Sequence, residues 1–577
     1  MKLVSLLLPE LILIVTASAL FLVGGLGRTA RSRRWTPVLA VGGLLVALLV
    51  QFARTGGQGG GVQFDDYGGV GADGVTYGTV RVTAFAQYLK LIALGVGVLL
   101  TLLAWPTNDD ATGNTALNFG HDAGEFFALT LLSLTGVLLV AGANDIMLLF
   151  LGIELASIPT YIMISLSRPN PVAQEAGVKY FFLGAFAAAI MLFGFSYLYG
   201  TTGSTNLHEI MIRLQQQQPH VDGVAVIDWG TRVVLTPWQS LAVLMLVAGF
   251  AFKMAAVPLH FYAGDVYQGA ATPVTALLSF VPKTAGFVAL IKVMFALGGP
   301  NWLLPEPLVR PNGTGLLFWL AILTMTVGNV LGLLQYNVKR VLAYSSVAHT
   351  GYMLVALAAL GATSHVRAAG DVKTTGLQAV LFYLAAYGIM NVGAFGVLQL
   401  LPARDGKAAA ETFEDLAGQG RRHVALGLSM AVCCFSLIGV PLTVGFMGKL
   451  MVIKPALAAA AAPIPPGAAS VRTAMGWLVA LTMLNAAVSA AYYLKIVASL
   501  FLRSADTAHP PAAHPAPIFA RPALPILAAV LLSVLGTVMF GSLPAATELL
   551  SAGAVKASNV DSPSILPRPV SPPVAAR

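Results

Sequence analysis

The chain is a succession of apolar runs, each long enough to cross the ~30 Å hydrocarbon core of a bilayer as a helix. Fourteen are legible, at about 4–24, 36–53, 82–104, 126–142, 146–167, 178–200, 239–268, 272–297, 316–334, 341–361, 376–401, 423–453, 474–503 and 520–542. Polar residues, Gly or Pro separate them. The runs are continuously apolar, unlike the alternating segments of ~10 residues that build a membrane barrel. Only Lys2 precedes the first run, which continues past Glu10 to about Gly25. That is longer than a signal-peptide core, so it reads as a first membrane helix. The expectation is an all-α polytopic membrane protein with about 14 transmembrane helices.

Charge supports this reading. Lys and Arg number 33 and Asp and Glu 24, so charged residues make up 10% of 577 residues, and 57% are hydrophobic. Soluble domains carry about 25% charge, so this chain cannot cover a water-facing surface. The net charge of +9 is therefore no nucleic-acid footprint. Basic residues in such a protein mark cytoplasmic loops and anionic headgroups. The loop totals on the two sides balance, but Arg28, Arg31, Arg33 and Arg34 cluster in the first loop. The loops with Lys339 and Arg340 and with Arg421 and Arg422 fall on that same side. That side is read as cytoplasmic, with both termini periplasmic.

Two cysteines, Cys433 and Cys434, are adjacent in an apolar run. An iron–sulfur cluster needs about four ligands, and c-type haem attachment needs C-x-x-C-H. The pair reads as two small buried hydrophobes. No Walker loop, dinucleotide fingerprint or His-Glu-x-x-His is present. No cofactor or metal is expected on this chain, and an ion gradient or a partner must drive any transport. Residues 455–469, 505–519 and the tail after about 556 are rich in Ala, Pro or Ser and read as flexible filler. His509 and His514 belong to that filler.

Two long runs carry the same defect. One reads Lys253-Met-Ala-Ala-Val-Pro258-Leu259, the other Gly439-Val-Pro441-Leu442-Thr-Val-Gly445-Phe-Met-Gly448-Lys449. A mid-helix proline removes a hydrogen bond and breaks the helix. Freed backbone groups at membrane depth are tolerated only against protein or a wet cavity. Matching breaks in two halves of a membrane protein point to an ion site, with ordinary proline kinks as the competing reading.

The few charges inside spans carry the functional signal, because each costs roughly 2.5–3.5 kcal/mol on insertion scales. Glu154 lies about eight residues into its span, roughly 12 Å deep at 1.5 Å per residue. Burial favours its uncharged form and a nearby lysine its charged form. Lys253 sits beside the first break, with His260 just past Pro258. Lys283 is near the middle of its span, beyond the ~6 Å reach of a snorkelling stem. A buried lysine gives up its proton more easily than a solvated one, so a chain of lysines can relay protons. Lys449 is the counterpart lysine of the second break. Lys292 lies near a helix end and reads as a snorkelling anchor. Lys179, at a helix start, fits a headgroup anchor and a relay member equally. His349, among the hydroxyls of Tyr344, Ser345, Ser346, Thr350 and Tyr352, fits both a relay and a satisfied core histidine.

These residues sit in a set of longer motifs. The segments 151–161 (Leu-Gly-Ile-Glu-Leu-Ala-Ser-Ile-Pro-Thr-Tyr), 175–185, 249–260, 265–274 (Asp-Val-Tyr-Gln-Gly-Ala-Ala-Thr-Pro-Val), 337–346 and 439–449 resemble the antiporter-like membrane subunits of respiratory complex I. The wording of 175–185 and 265–274 is most similar to the subunit N group, the counterpart of mitochondrial subunit 2. The resemblance covers nearly all of 1–545.

The resemblance implies two inverted five-helix repeats, each with one Pro-broken helix. The corresponding division is a three-helix segment at 1–125, repeats at 126–297 and 316–503, a last helix at 520–545 and a flexible tail at 546–577. It also implies proton translocation in the bacterial inner membrane, driven by NADH–quinone electron transfer. FMN and iron–sulfur clusters are then expected in partner subunits, and the neighbours are other membrane-arm subunits. By motif, Glu154 and Lys253 become a coupled pair, Lys179 a second partner of Glu154, Lys283 the central relay and Lys449 the exit-side lysine. His260 matches the histidine at the broken helix. A multi-subunit sodium/proton antiporter shares the fold and the Glu/Lys pattern and stands as the alternative. A solute carrier would need a polar substrate pocket, and a passive scaffold leaves the buried charges unexplained.

Overall fold

The computed structural model describes residues 2–26, 30–56, 78–106, 122–168, 170–217, 235–297, 315–367, 375–403, 409–461, 469–503 and 524–558. Those residues form helices and connecting turns, with no strand among them beyond isolated bridges. An N-terminal group comprises α1 (Lys2–Leu6), α2 (Leu8–Leu26), α3 (Ala30–Gly56) and α4 (Ala84–Leu103). The next comprises α5 (Ala123–Gly142), α6 (Ile146–Leu166), α7 (Pro171–Thr202), α8 (Leu207–Gln216), α9 (Pro237–Met254), α10 (Ala263–Gly269) and α11 (Thr272–Ala296). Then come α12 (Gly315–Leu333), α13 (Val338–Arg367), α14 (Gly376–Leu400), α15 (Phe413–Leu416), α16 (Gln419–Arg422), α17 (Val424–Ile438), α18 (Val444–Ala461) and α19 (Ala469–Phe501). The described chain closes with α20 (Leu524–Ser542) and α21 (Pro544–Ser558).

Fourteen of these helices are long and apolar enough to cross a membrane. Each falls on one of the fourteen sequence runs. Local chemistry sets where they start. Asp145 accepts hydrogen bonds from the Met147 and Leu148 amides and opens α6. Asn170 caps α7 ahead of Pro171, and Thr236 with Gln239 forms a capping box on α9.

The two breaks lie where the prolines require them. Helix α9 stops at Met254, where Ala255 turns left-handed at φ 56°, and the chain resumes helix only at Ala263. Helix α17 stops at Ile438, where Gly439 takes φ 93°, and α18 begins at Val444. Glycine adopts that conformation without the clash a Cβ brings.

Helices α11, α13 and α14 form the centre: 100%, 100% and 94% of their spanning windows are buried, against 33% for α7 and α19. The outer helices turn large apolar side chains outward, among them Phe182, Phe186, Trp477 and Leu531. This is the inverse of a soluble protein and fits a lipid or subunit surround. Small residues bring the inner helices close: Gly136 packs on the Ala156 backbone and Gly351 on that of Met325.

Two sequence expectations need correction. Residues 455–461, expected as filler, continue α18 to Ala461. Alanine has the highest helix propensity, and its run outweighs Pro455. The tail expected to be flexible from 546 is helical to Ser558 in α21, which packs on α4, α14 and α20. The Tyr88 hydroxyl donates to the Leu550 carbonyl at 3.2 Å. Residues 462–468, 504–523 and 559–577, which hold the remaining low-complexity sequence, lie outside the described residues, as does Arg28.

Candidate proton-transfer site

Glu154 and Lys253 meet between α6 and α9. Lys253 Nζ lies 2.9 Å from Glu154 Oε1, with the lysine 1% and the glutamate 14% exposed. The ammonium also donates to Ser157 Oγ at 3.0 Å and to the Tyr161 hydroxyl at 3.2 Å. Glu154, Ser157 and Tyr161 are three and four residues apart, so α6 presents all three on one face. Lys253 is the last residue but one of α9, where the helix dipole favours a cation. Gly286 lets α11 approach: a Cβ there would stand 3.2 Å from Lys253 Cβ.

Lys283, also buried, has no carboxylate partner among the described ion pairs. Its ammonium donates to the Ser346 carbonyl and, at 3.0 Å, to Thr350 Oγ1, and lies 5.5 Å from the Tyr387 ring centroid. The Thr350 hydroxyl donates onward to the Met254 carbonyl at 2.8 Å. One threonine therefore links Lys283 to the carbonyl freed by the break beside Lys253.

His349 is fully buried one turn along α13 from Ser346. Its Nδ1 pairs with the Tyr383 hydroxyl at 2.7 Å and its Nε2 with the Tyr493 hydroxyl at 3.1 Å. The rings of Tyr352, Tyr383 and Tyr387 surround it. Lys449 continues the series on α18. Its ammonium donates to the Ile438 carbonyl at 2.8 Å and sits 4.8 Å from the Tyr352 centroid. Ile438 ends α17, so the second break, like the first, exposes a carbonyl that a polar side chain satisfies. The Tyr383 ring leaves no room for a Cβ at Gly448. Lys253, Lys283, His349 and Lys449 thus form a run of buried polar groups along the centre of the protein.

Three expected placements differ. Lys179 does not pair with Glu154. It lies 2.6 Å from Glu175 and 3.1 Å from Asp265, and is 43% exposed. Glu175 is one turn away on the same helix, and the break projects Asp265 toward α7, so nearer acids take the lysine. Lys292 is no snorkelling anchor. It is 7% exposed and donates to the Ala143 carbonyl at 2.5 Å, because α11 is enclosed on all sides and has no lipid face. His260 sits in the turn between α9 and α10, half-buried, and its Nδ1 has no hydrogen-bond partner among the described residues.

Ser157, Tyr161, Ser346, Thr350, Tyr383, Tyr387 and Tyr493 were not singled out from sequence as site residues. Helical spacing offered a signal for some: Ser157 and Tyr161 follow Glu154 on its face, and Ser346 and Thr350 flank His349. Nothing in the sequence joins α14 or α19 to that histidine.

Two charged networks tie α7 and the turn after α6 to α10, α13 and the segment before α15, at the opposite end of α11 from Lys292. Asp265 on α10 holds Arg340 of α13 at 2.7 Å as well as Lys179 of α7. Glu411 holds Arg168 at 2.6 Å and Lys339 at 3.3 Å. Burial alone would raise the Glu411 carboxyl, but Lys339 and Arg168 outweigh it and hold the group below the usual carboxylate range.

The same architecture occurs in known proteins. Residues 143–464 match the model of the NADH:quinone oxidoreductase/Mrp antiporter transmembrane family. NADH-quinone oxidoreductase subunit N 2 of Roseiflexus castenholzii is 36% identical over 470 residues, 81% of this chain and 82% of that protein. Subunit N of a Geobacillus species is 32% identical over 543 residues, 93% of this chain and 95% of that one. A chain of respiratory complex I from Thermus thermophilus superposes with a TM-score of 0.66 at 28% identity, covering 95% of this chain and 99% of that chain. A chain of the Mrp complex from Dietzia sp. superposes at 0.70 with 20% identity, covering 98% and 99%, a likeness of fold alone. Fold, broken helices and relatives agree: the chain belongs to the NADH:quinone oxidoreductase/Mrp antiporter transmembrane family, within its NADH-quinone oxidoreductase subunit N group.

Proposed function

We propose that Glu154, Lys253, Lys283, His349 and Lys449 carry protons through this chain, which is a proton-translocating membrane subunit of NADH:quinone oxidoreductase. The observation that supports the path best is the Lys253–Met254–Thr350–Lys283 connection. A single hydroxyl, that of Thr350, joins the central lysine to the Met254 carbonyl at the end of the broken helix, one residue along the chain from the lysine of the ion pair. Among the described residues, neutral oxygens and the Tyr387 ring hold the Lys283 ammonium, which suits it to pass a proton on. His349, bonded on both ring nitrogens by tyrosine hydroxyls, lies between Lys283 and Lys449.

Electron transfer on other subunits supplies the energy, and FMN and iron–sulfur clusters belong to them. A charge change beside Glu154 in a neighbouring subunit loosens its hold on Lys253. At an effective dielectric of ~20, two charges 4 Å apart interact by roughly 4 kcal/mol, enough to shift the ammonium toward donating its proton. His260 stands at the break as a proton donor or acceptor for that step. Lys179, paired with Asp265, positions α10 against α7 and does not act as a second partner of Glu154. The protein spans the bacterial inner membrane with both termini on the periplasmic side. The quinone is used by the complex, and the neighbours are its other membrane-arm subunits.

The test is proton pumping by the reconstituted complex. Lys253→Ala and Lys449→Ala should each assemble and pump fewer protons per NADH oxidised. Wild-type yield in both variants would exclude the relay. Co-purification with flavin and iron–sulfur subunits separates this reading from a role in a sodium/proton antiporter.

A further inference from the structure

Another buried charge cluster lies outside this path. Glu10 of α2 and Lys90 of α4 form an ion pair at 2.5 Å, each 1% exposed. Among the described residues, neither Glu10 oxygen nor Lys90 Nζ has a hydrogen-bonding partner beyond the pair itself. Buried ion pairs stabilise a fold only when further hydrogen bonds satisfy the remaining valences, so this one is a poor staple.

Its surroundings are unbalanced. A Cβ on Gly142 would stand 3.7 Å from Lys90 Nζ. The next residue, Ala143, supplies the carbonyl that holds Lys292. Two buried lysines, from α4 and α11, therefore converge on the same end of α5. Arg81, whose amide donates to the Gly142 carbonyl at 2.7 Å, adds a third basic group. From α3, Arg54 lies within electrostatic reach of Glu10. The other titratable groups nearby are His208 on α8, which is buried, and Asp145, whose carboxylate is taken by the α6 cap. Among the described residues, Glu10 is thus the carboxylate of this cluster that no helix cap takes up, and several basic groups face it. Lys292 lies nine residues from Lys283 on α11, roughly 13 Å along the axis and half a turn round the helix, so it faces away from the relay.

We propose that Glu10, Lys90 and Lys292 form a second reversible protonation site, on the side of the bilayer that carries the N-terminus. It rests on the proton-translocating reading above and adds a release station to it. A hydronium ion delivered by translocation loses one O–H bond as its proton forms an O–H bond on Glu10, which releases a water molecule and leaves Lys90 cationic. Repulsion from Lys292 and Arg81 then favours the proton's departure to water.

The test uses the intact complex in proteoliposomes and compares Glu10→Gln, Glu10→Gln with Lys90→Met, Lys292→Met and Lys253→Ala. The expected result is a loss of protons pumped per NADH oxidised in the first three, with no rescue when both pair members are neutralised. Turnover-induced infrared spectra should also show a carboxyl band that Glu10→Gln removes. Wild-type yield in the double variant or in Lys292→Met overturns the proposal and leaves a structural pair. If the single Glu10→Gln variant fails to assemble, the double variant removes the uncompensated charge. If that also fails, Lys292→Met and its infrared spectrum decide. Loss confined to Lys253→Ala refutes this site alone, whereas wild-type yield in Lys253→Ala refutes the central relay instead.

Discussion

Replacing Glu154 with Gln isolates the charge that holds Lys253. Glutamine keeps the volume and hydrogen-bonding reach of the side chain, so α6 keeps its packing. At the observed 2.9 Å and an effective dielectric of ~20, the lost attraction is about 6 kcal/mol. The 14% exposure of Glu154 makes this an upper figure, because entering water screens the pair. Ser157 and Tyr161 still accept from the amine, so the pocket survives without its counter-charge. In proteoliposomes, the quench of a pH-sensitive dye normalised to NADH oxidation should drop sharply in Glu154→Gln. It should recover in part in Glu154→Asp, which keeps the charge one methylene further away. A Glu154→Gln, Lys253→Met double variant leaves no unpaired buried charge and should assemble well, yet pump no better than either single change. Wild-type proton yield from an assembled Glu154→Gln complex would refute the electrostatic coupling.

Tyr383→Phe removes the hydrogen bond on His349 Nδ1 and should cost about 0.5–1.5 kcal/mol of stability while lowering proton yield; an unchanged yield would place His349 in the core only. Gly445→Val drives methyl groups into the Ser436 carbonyl at the second break. Overpacking of this kind costs typically 1–3 kcal/mol, which should appear as a lower melting temperature of the purified complex. Glu411 contributes stability that is present above the usual carboxylate range and lost as pH falls through its depressed folded value. Glu411→Gln should therefore flatten the acid-side fall of the melting temperature, and an unaltered acid slope would show that the link to Arg168 and Lys339 is idle.

The number of spans, their approximate ends and the two breaks are all legible in the amino-acid order. Each depends on local physics: a helix in lipid must satisfy its own backbone, and a proline within it must interrupt it. The sequence also marks Glu154, Lys253, Lys283 and Lys449, because insertion cost makes a charge deep in a span conspicuous wherever it points. Pairing was decided by tertiary structure. Lys179 follows Glu154 by one span in the motif order, but the geometry of the break brings Asp265 to it first. Lys292 lies at a helix end that would face headgroups in an isolated helix, but α11 is enclosed by its neighbours. The tyrosines hydrogen-bonded to His349 come from α14 and α19, and tyrosine in an apolar helix has no periodicity that distinguishes a hydrogen-bonding core residue from an interfacial one. Glu10 and Lys90 are separated by two spans, and only the packing of α2, α4 and α5 reveals that they share one buried site. Long-range contacts of this kind depend on which helix faces meet, a property of the assembled bundle that no single segment contains.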